Sequence, residues 1–231
     1  MKNIVLKEKL LLTFFKLQLN YDDVNEKNTT ENTNCGFHFL LDNNDRRHVG
    51  STLKLLNINA AAKHLLDNYS GPSLTISSGD SLIRDVKVSP GLAKVQFNQS
   101  VLEAFSTLCP PPRLSSININ TMLGFTLEAE CVLDSSGRPL PVTDFSNNFS
   151  DNTGADSKAL AAGSRRVAVL TASFQDCLLG GEVSGVTSLN LRLLEALGYK
   201  VILVKFSDWP STEKLVVRVK YLDEEMKKVS G

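Results

Sequence analysis

The chain has 231 residues, of which 25 are basic and 25 acidic, and 42% are hydrophobic. Zero formal charge excludes a protein that grips polyanions by bulk electrostatics and leaves room only for a local basic patch. The length admits one sizeable domain or two small ones, and no segment reaches the roughly 18 unbroken apolar residues of a membrane helix.

Residues 4–19 are apolar but interrupted by Lys7, Glu8, Lys9 and Lys16, and read as an amphipathic helix. The stretch has no arginine and carries an acid, so it lacks the composition of a mitochondrial presequence. Residues 21–35 are polar, with Asp22, Asp23, Glu26 and Glu31 among asparagines and threonines, as in a loop or disordered link. Asn28, Asn68, Asn98 and Asn148 fall in glycosylation sequons by chance of an Asn- and Ser-rich composition, since no signal peptide accompanies them. Residues 51–69 return to helical spacing at Leu53, Leu56, Ala60, Leu65 and Leu66, with Gly71-Pro72 as the stop. A short strand is predicted at Ser81–Val88, then a helix from Val95 to Leu108 with Val101, Leu102, Phe105 and Leu108 on its apolar face. Cys109-Pro110-Pro111-Pro112 ends it, because proline supplies no N–H to continue the ladder.

A strand pair follows, at Ile117–Phe125 and Leu127–Leu133, with a turn at Ser135-Ser136-Gly137. Residues 144–164 are small and polar, with three acids against one base, and read as a flexible linker. Val167–Thr171 is a β-branched apolar run, the mark of a strand buried on both faces. Leu189, Leu193, Leu194 and Leu197 recur at helical spacing, and Gly198 stands where a left-handed residue closes a helix. Val201–Val204 is a second buried-strand run. The order strand, helix, strand predicts a βαβ unit with parallel strands. Pro210 ends the segment, and Leu215, Val219, Leu222, Met226 and Val229 stripe a closing helix.

The cysteines, Cys35, Cys109, Cys131 and Cys177, stand far apart without paired spacing, which fits reduced thiols in an intracellular compartment and neither a zinc site nor a disulfide framework. His38, His48 and His64 gather no acid or cysteine at metal spacing. No serine sits in a nucleophile elbow.

From Arg166 to Lys228 the residues resemble the RAP domain, the C-terminal module of the FAST kinase domain-containing proteins. The likeness rests on the Arg-Val-Ala-Val strand, Phe174 and Cys177, the run from Arg192-Leu193-Leu194 through Leu197-Gly198-Tyr199-Lys200-Val201-Ile202, the Asp208-Trp209 pair and Tyr221-Leu222. Upstream, Leu56-Asn57 and Asn59-Ala60-Ala61, Tyr69 through Leu74, Phe125 through Asp134 and Pro139-Leu140-Pro141 resemble the second FAST region of the same family. Pattern and resemblance together divide the chain into four parts: an N-terminal helix and polar link at 1–50 and a linker at 144–164, read from composition, and a FAST-like region with a terminal strand pair at 51–143 and a RAP domain at 165–231, implied by the resemblance. The expected class is α/β, or α+β for the chain as a whole: a helical N-terminal part followed by a small βαβ module similar to the Vsr-like branch of the PD-(D/E)XK nucleases.

The function implied is binding of transcripts in mitochondrial RNA metabolism, for their stability, processing or ribosome assembly. It comes with mitochondrial location and other RNA-processing proteins as partners, and without a cofactor. The kinase in the family name has no support in the residues: there is no phosphate loop on a strand, no His-Arg-Asp and no Asp-Phe-Gly. The alternative chemistry is a metal-dependent endonuclease, for which converging carboxylates are required. The acids available are Glu128, Glu130 two residues on and therefore on the same strand face, and Asp176 beyond the next strand. Leu170 and Ala172 stand where nucleases of this fold place acids, so the metal site is expected to be degenerate. The plainer reading of Glu128 and Glu130 is a solvated strand face. For RNA the candidates are Arg165, Arg166, Arg192, Lys200, Lys205 and Trp209, since guanidinium pairs with phosphate and an indole offers a stacking face. The plainer reading of Trp209 is a core plug, and that of Arg192 is a surface pair with Glu195. A third reading, a protein-interaction domain, requires an exposed apolar patch on the closing helix.

Overall fold

The computed structural model describes residues 46–71, 91–121, 123–142, 145 and 160–230. The expected helix at 4–19, the link at 21–35, the strand at 81–88 and most of the linker at 144–164 lie outside the described residues. The chain divides into two units, Met1–Ser51 and Thr52–Gly231; apart from the first residues of the opening helix, everything below belongs to the second.

The first described element is helix α1 (Arg46–Leu65), followed by α2 (Leu92–Leu108). A hairpin of β1 (Ser115–Asn120) and β2 (Thr126–Leu133) comes next, then a two-residue strand β3 (Pro139–Leu140). The chain then runs through β4 (Arg165–Ala172), a 3-10 turn at Phe174–Asp176, α3 (Gly185–Ala196), β5 (Tyr199–Lys205) and α4 (Leu215–Ser230). The class is α+β. Among the described residues no helix is long and apolar enough to cross a membrane.

The strands form one mixed sheet in the order β1-β2-β4-β5, with β3 also paired to β2. β2 runs antiparallel to β1 and to β4, whereas β4 and β5 are parallel over seven pairs from Arg166–Tyr199 to Ala172–Lys205. The predicted βαβ unit is therefore present. It shares its sheet with the upstream strand pair and does not stand as a separate layer.

Both faces of the sheet are covered, and period-2 alternation sorts the strand residues between them. On one face Ala129, Cys131 and Leu133, Val167 and Val169, and Ile202 and Val204 pack with Phe97, Val101 and Phe105 of α2 and Leu222 and Met226 of α4. On the other, Ala168, Leu170 and Tyr199 pack with Ala60 of α1 and Leu193 and Leu194 of α3. Covered faces explain why β4 reads as a near-continuous apolar run. Cys109, Cys131 and Cys177 carry free thiols.

The helix ends follow the local chemistry. The Ser184 hydroxyl accepts the Thr187 N–H and caps α3, and Gly198, at φ +85°, turns the chain from α3 into β5. The first strand is shorter than its apolar pattern implies. It stops at Asn120, and the Thr121 N–H donates to the Phe125 carbonyl at 3.2 Å to close the hairpin connection. Gly124 in that turn has φ +89°, and a Cβ there would stand 2.3 Å from the carbonyl oxygen of Leu53 on α1.

Gly124→Ala is accordingly expected to cost more than about 1 kcal/mol, through left-handed strain and displacement of α1. Phe105→Ala, which empties a fully buried site in the α2–α4 layer, should cost about 3–5 kcal/mol. Urea unfolding followed by far-UV circular dichroism measures both.

Candidate functional site

Glu128 and Glu130 are buried, at 7% and 3% exposure. The expectation of a solvated strand face is overturned, and so is that of a shared face. The alternation of β2 breaks between Leu127 and Ala129: Leu127 packs with α1 and α3 while Ala129 packs with α2. Asn118, which falls opposite Glu128 between the Ile117–Ala129 and Ile119–Leu127 pairs, adopts φ +52°. Glu128 turns toward α2 and Glu130 toward Tyr199 in the α1–α3 layer.

Each carboxylate has its own partners. Glu128 Oε2 accepts the backbone N–H of Thr171 at 3.0 Å, and Oε1 accepts the Thr171 hydroxyl at 2.8 Å and the Asn98 side-chain amide at 3.1 Å. Burial pushes this carboxyl above the usual carboxylate range, against the lowering effect of the Thr171 donors and of Lys94. Glu130 Oε2 accepts the Tyr199 hydroxyl at 2.9 Å. Burial raises its pKa too, against the Tyr199 bond and the Arg166 charge.

Asp176 belongs to neither group by chain position, but it reaches toward the first. Its Oδ2 accepts the N–H and hydroxyl of Ser173 at 2.9 and 2.6 Å and pairs with Lys94 at 2.9 Å. Partial burial works against ionisation, yet the Ser173 donors and Lys94 hold this carboxyl below its ordinary value. Lys94 pairs with Asp176 and its charge also acts on Glu128, from a helix that no local spacing associates with either. Glu130 is directed elsewhere, so the three acids do not converge. Among the described residues no group of three histidines, cysteines or acids is placed to hold a metal ion, and Glu128, Glu130 and Asp176 do not form the converging carboxylate set that metal-dependent cleavage requires.

The six candidates for RNA contact divide by burial. Trp209 is 4% exposed, donates its indole N–H to Ser100 at 2.9 Å and meets Tyr221 edge-on at 5.5 Å. It is a core plug, not a free stacking face. Arg166 is 6% exposed and acts on Glu130 and Tyr199. Arg165 is half-buried and donates to the Val229 carbonyl at the end of α4. Arg192 on α3 and Lys200 on β5 are exposed. Lys205 is half-buried, with its ammonium on the Gly181 carbonyl at 2.9 Å.

Sequence reasoning missed Lys94, Asn98 and Thr171 as partners of Glu128. The first two lie about a helix and a hairpin away in the chain, and no spacing rule joins them to β2. Phe174, which carries part of the RAP resemblance, is 79% exposed.

Two family models match the chain: FAST kinase-like protein, subdomain 2, over residues 52–141, and the RAP domain over residues 173–225. The chain is 31% identical over 198 residues to human FAST kinase domain-containing protein 4, covering 83% of this chain and 30% of that protein. It is 26% identical over 180 residues to the rat protein of the same name, covering 76% of this chain and 27% of that protein. The matched region thus spans less than a third of the length of these relatives. No solved structure matches.

Removing the Glu128 carboxylate leaves the buried Thr171 N–H without an acceptor, so Glu128→Ala should lower stability by about 2–3 kcal/mol. A pKa raised in the folded state means that the folded state binds the proton more tightly. The stability this contributes is therefore present at low pH and lost as pH rises from the unfolded value of about 4.3 through the folded one. The stability of the wild type relative to Glu128→Gln should fall as pH rises above about 4 in parallel urea titrations. A pH-independent difference would show that Glu128 titrates alike in both states.

Proposed function

This chain belongs to the FAST kinase domain-containing family, and from that membership we propose that it is an RNA-binding module of mitochondrial RNA metabolism that acts by binding and not by cleavage. The observation that carries the second half is the use made of Glu128: both its oxygens serve the end of β4 and α2, while Arg192 and Lys200 are left in solvent. A carboxylate committed to three protein donors is a structural acceptor, and exposed cations on the βαβ unit are phosphate ligands. Transcript stability, processing and ribosome assembly are the processes this reading covers. Mitochondrial transcripts and other RNA-processing proteins are its partners, and the mitochondrion is its compartment.

The endonuclease alternative has little geometric support, because Glu130 is directed away from Glu128 and Asp176. A protein-docking role is the second reading, favoured by Val216 and Val217, which are exposed on α4.

Filter binding of single-stranded RNA should show weak affinity at low salt that falls with a log–log slope of about −0.7 per phosphate neutralised. The double reversal Arg192→Glu and Lys205→Glu should weaken it by more than about tenfold and flatten that slope. Cleavage of RNA in magnesium or manganese that Glu128→Ala abolishes would overturn the non-catalytic reading. Absence of binding at low salt would overturn the whole.

A further inference from the structure

In an open sheet with parallel strands, chain exits gather at the carboxyl ends of those strands, and ligand crevices form there. β4 leaves through Ser173 into Phe174, and β5 leaves through Lys205 into Phe206, whose N–H donates to the Ala172 carbonyl at 2.9 Å. Two phenylalanines thus depart from neighbouring strands at the same end, with different fates. Phe206 is 41% exposed and lies outside both core clusters, but it packs edge-on against Phe97 at 5.4 Å. Phe174 stands in solvent and belongs to neither core layer.

The backbone beneath Phe174 is fixed by several bonds. Ser173 donates twice to Asp176, Asp176 is tied to α2 through Lys94, and the Ser184 N–H returns to the Asp176 carbonyl at 2.8 Å. The following loop is closed by the Cys177–Val183 bridge and by Lys205 on the Gly181 carbonyl. A large apolar ring held out on a braced turn forgoes the favourable transfer from water that burial would return.

We propose that Phe174 is a base-stacking platform, and that the RNA bound at this end of the sheet is single-stranded. The proposal rests on the RNA-binding reading above and adds the place and the strandedness. Every unpaired base offers a π-face to such a ring, whereas an A-form duplex keeps its base faces stacked and offers mainly sugar and phosphate. Lys205 then meets the phosphate beside the stacked base. Leu178 and Leu179, a few residues further along the adjoining loop, are also exposed and offer apolar surface on which a second base can lie.

The test uses the full chain with Phe174→Ala and Phe174→Trp. Trp209, the only native tryptophan, is buried, so an indole at 174 is a separate solvent-exposed reporter. A single-stranded RNA of about 12 nucleotides and a duplex of the same length are titrated against each protein. The expected result is quenching of the new indole by the single strand and preference for single strand over duplex by more than about tenfold. Phe174→Ala should bind the single strand about tenfold more weakly with an unchanged salt slope. Wild-type affinity in Phe174→Ala, no quenching in Phe174→Trp, or equal affinity for duplex overturns the stacking role. If the Arg192 and Lys205 reversal still weakens binding in that case, the RNA-binding reading stands without it. If the wild type binds neither RNA, both fall.

Discussion

Strand β4 is the constraint on which the second unit depends. Its backbone is shared between an antiparallel neighbour, β2, and a parallel one, β5, and its side chains are buried from Arg166 to Ala172. A buried backbone group must find a partner, and two flanking strands supply most of them. The last β2–β4 pair is Ala129–Val169, so Thr171 lies beyond the reach of the β2 ladder. There the Glu128 side chain takes over and accepts the Thr171 N–H directly. A carboxylate thus finishes what the ladder leaves undone, at the end of the sheet where β4 turns toward Phe174.

This arrangement accounts for an acid at a position that burial makes costly. Removing a carboxylate from water disfavours its charged form, and the raised pKa of Glu128 records that cost. Three donors and the nearby Lys94 offset part of it. Glu130 follows the same logic in the other layer, with Tyr199 as donor and Arg166 as the nearby charge. Each acid has its own polar neighbourhood, and the two neighbourhoods lie on different faces of the sheet. A metal needs its oxygens on one side and free of other donors, and these two carboxylates are not arranged in that way.

Much of the fold was legible in the chain because it follows from local rules. The period of leucines marked α3, Gly198 marked its end, and the proline run after Cys109 marked the end of α2. The β-branched runs at Val167 and Val201 marked two covered strands, since parallel strands with helices on both faces need no polar alternation. The failure at Glu128 and Glu130 has an equally physical cause. A two-residue spacing predicts a shared face only in a regular strand, and β2 is irregular where Asn118 adopts positive φ opposite Glu128. Nothing in a single stretch of chain announces that event.

Among the described residues the sequence by itself determined the principal helices and strands, their order, and the kinship that the RAP and FAST segments carry, because these depend on periodicity, capping residues and contiguous motifs. Only the tertiary structure decided which polar residues remain on the surface. Trp209 and Arg166 went inward and Arg192 and Phe174 stayed out, because burial is set by what packs from distant segments such as α2. The partners of Glu128 were decided in the same way: Asn98 precedes it by 30 residues and Thr171 follows it by 43, and separations of that size are bridged by the sheet and its covering helix, not by any local pattern.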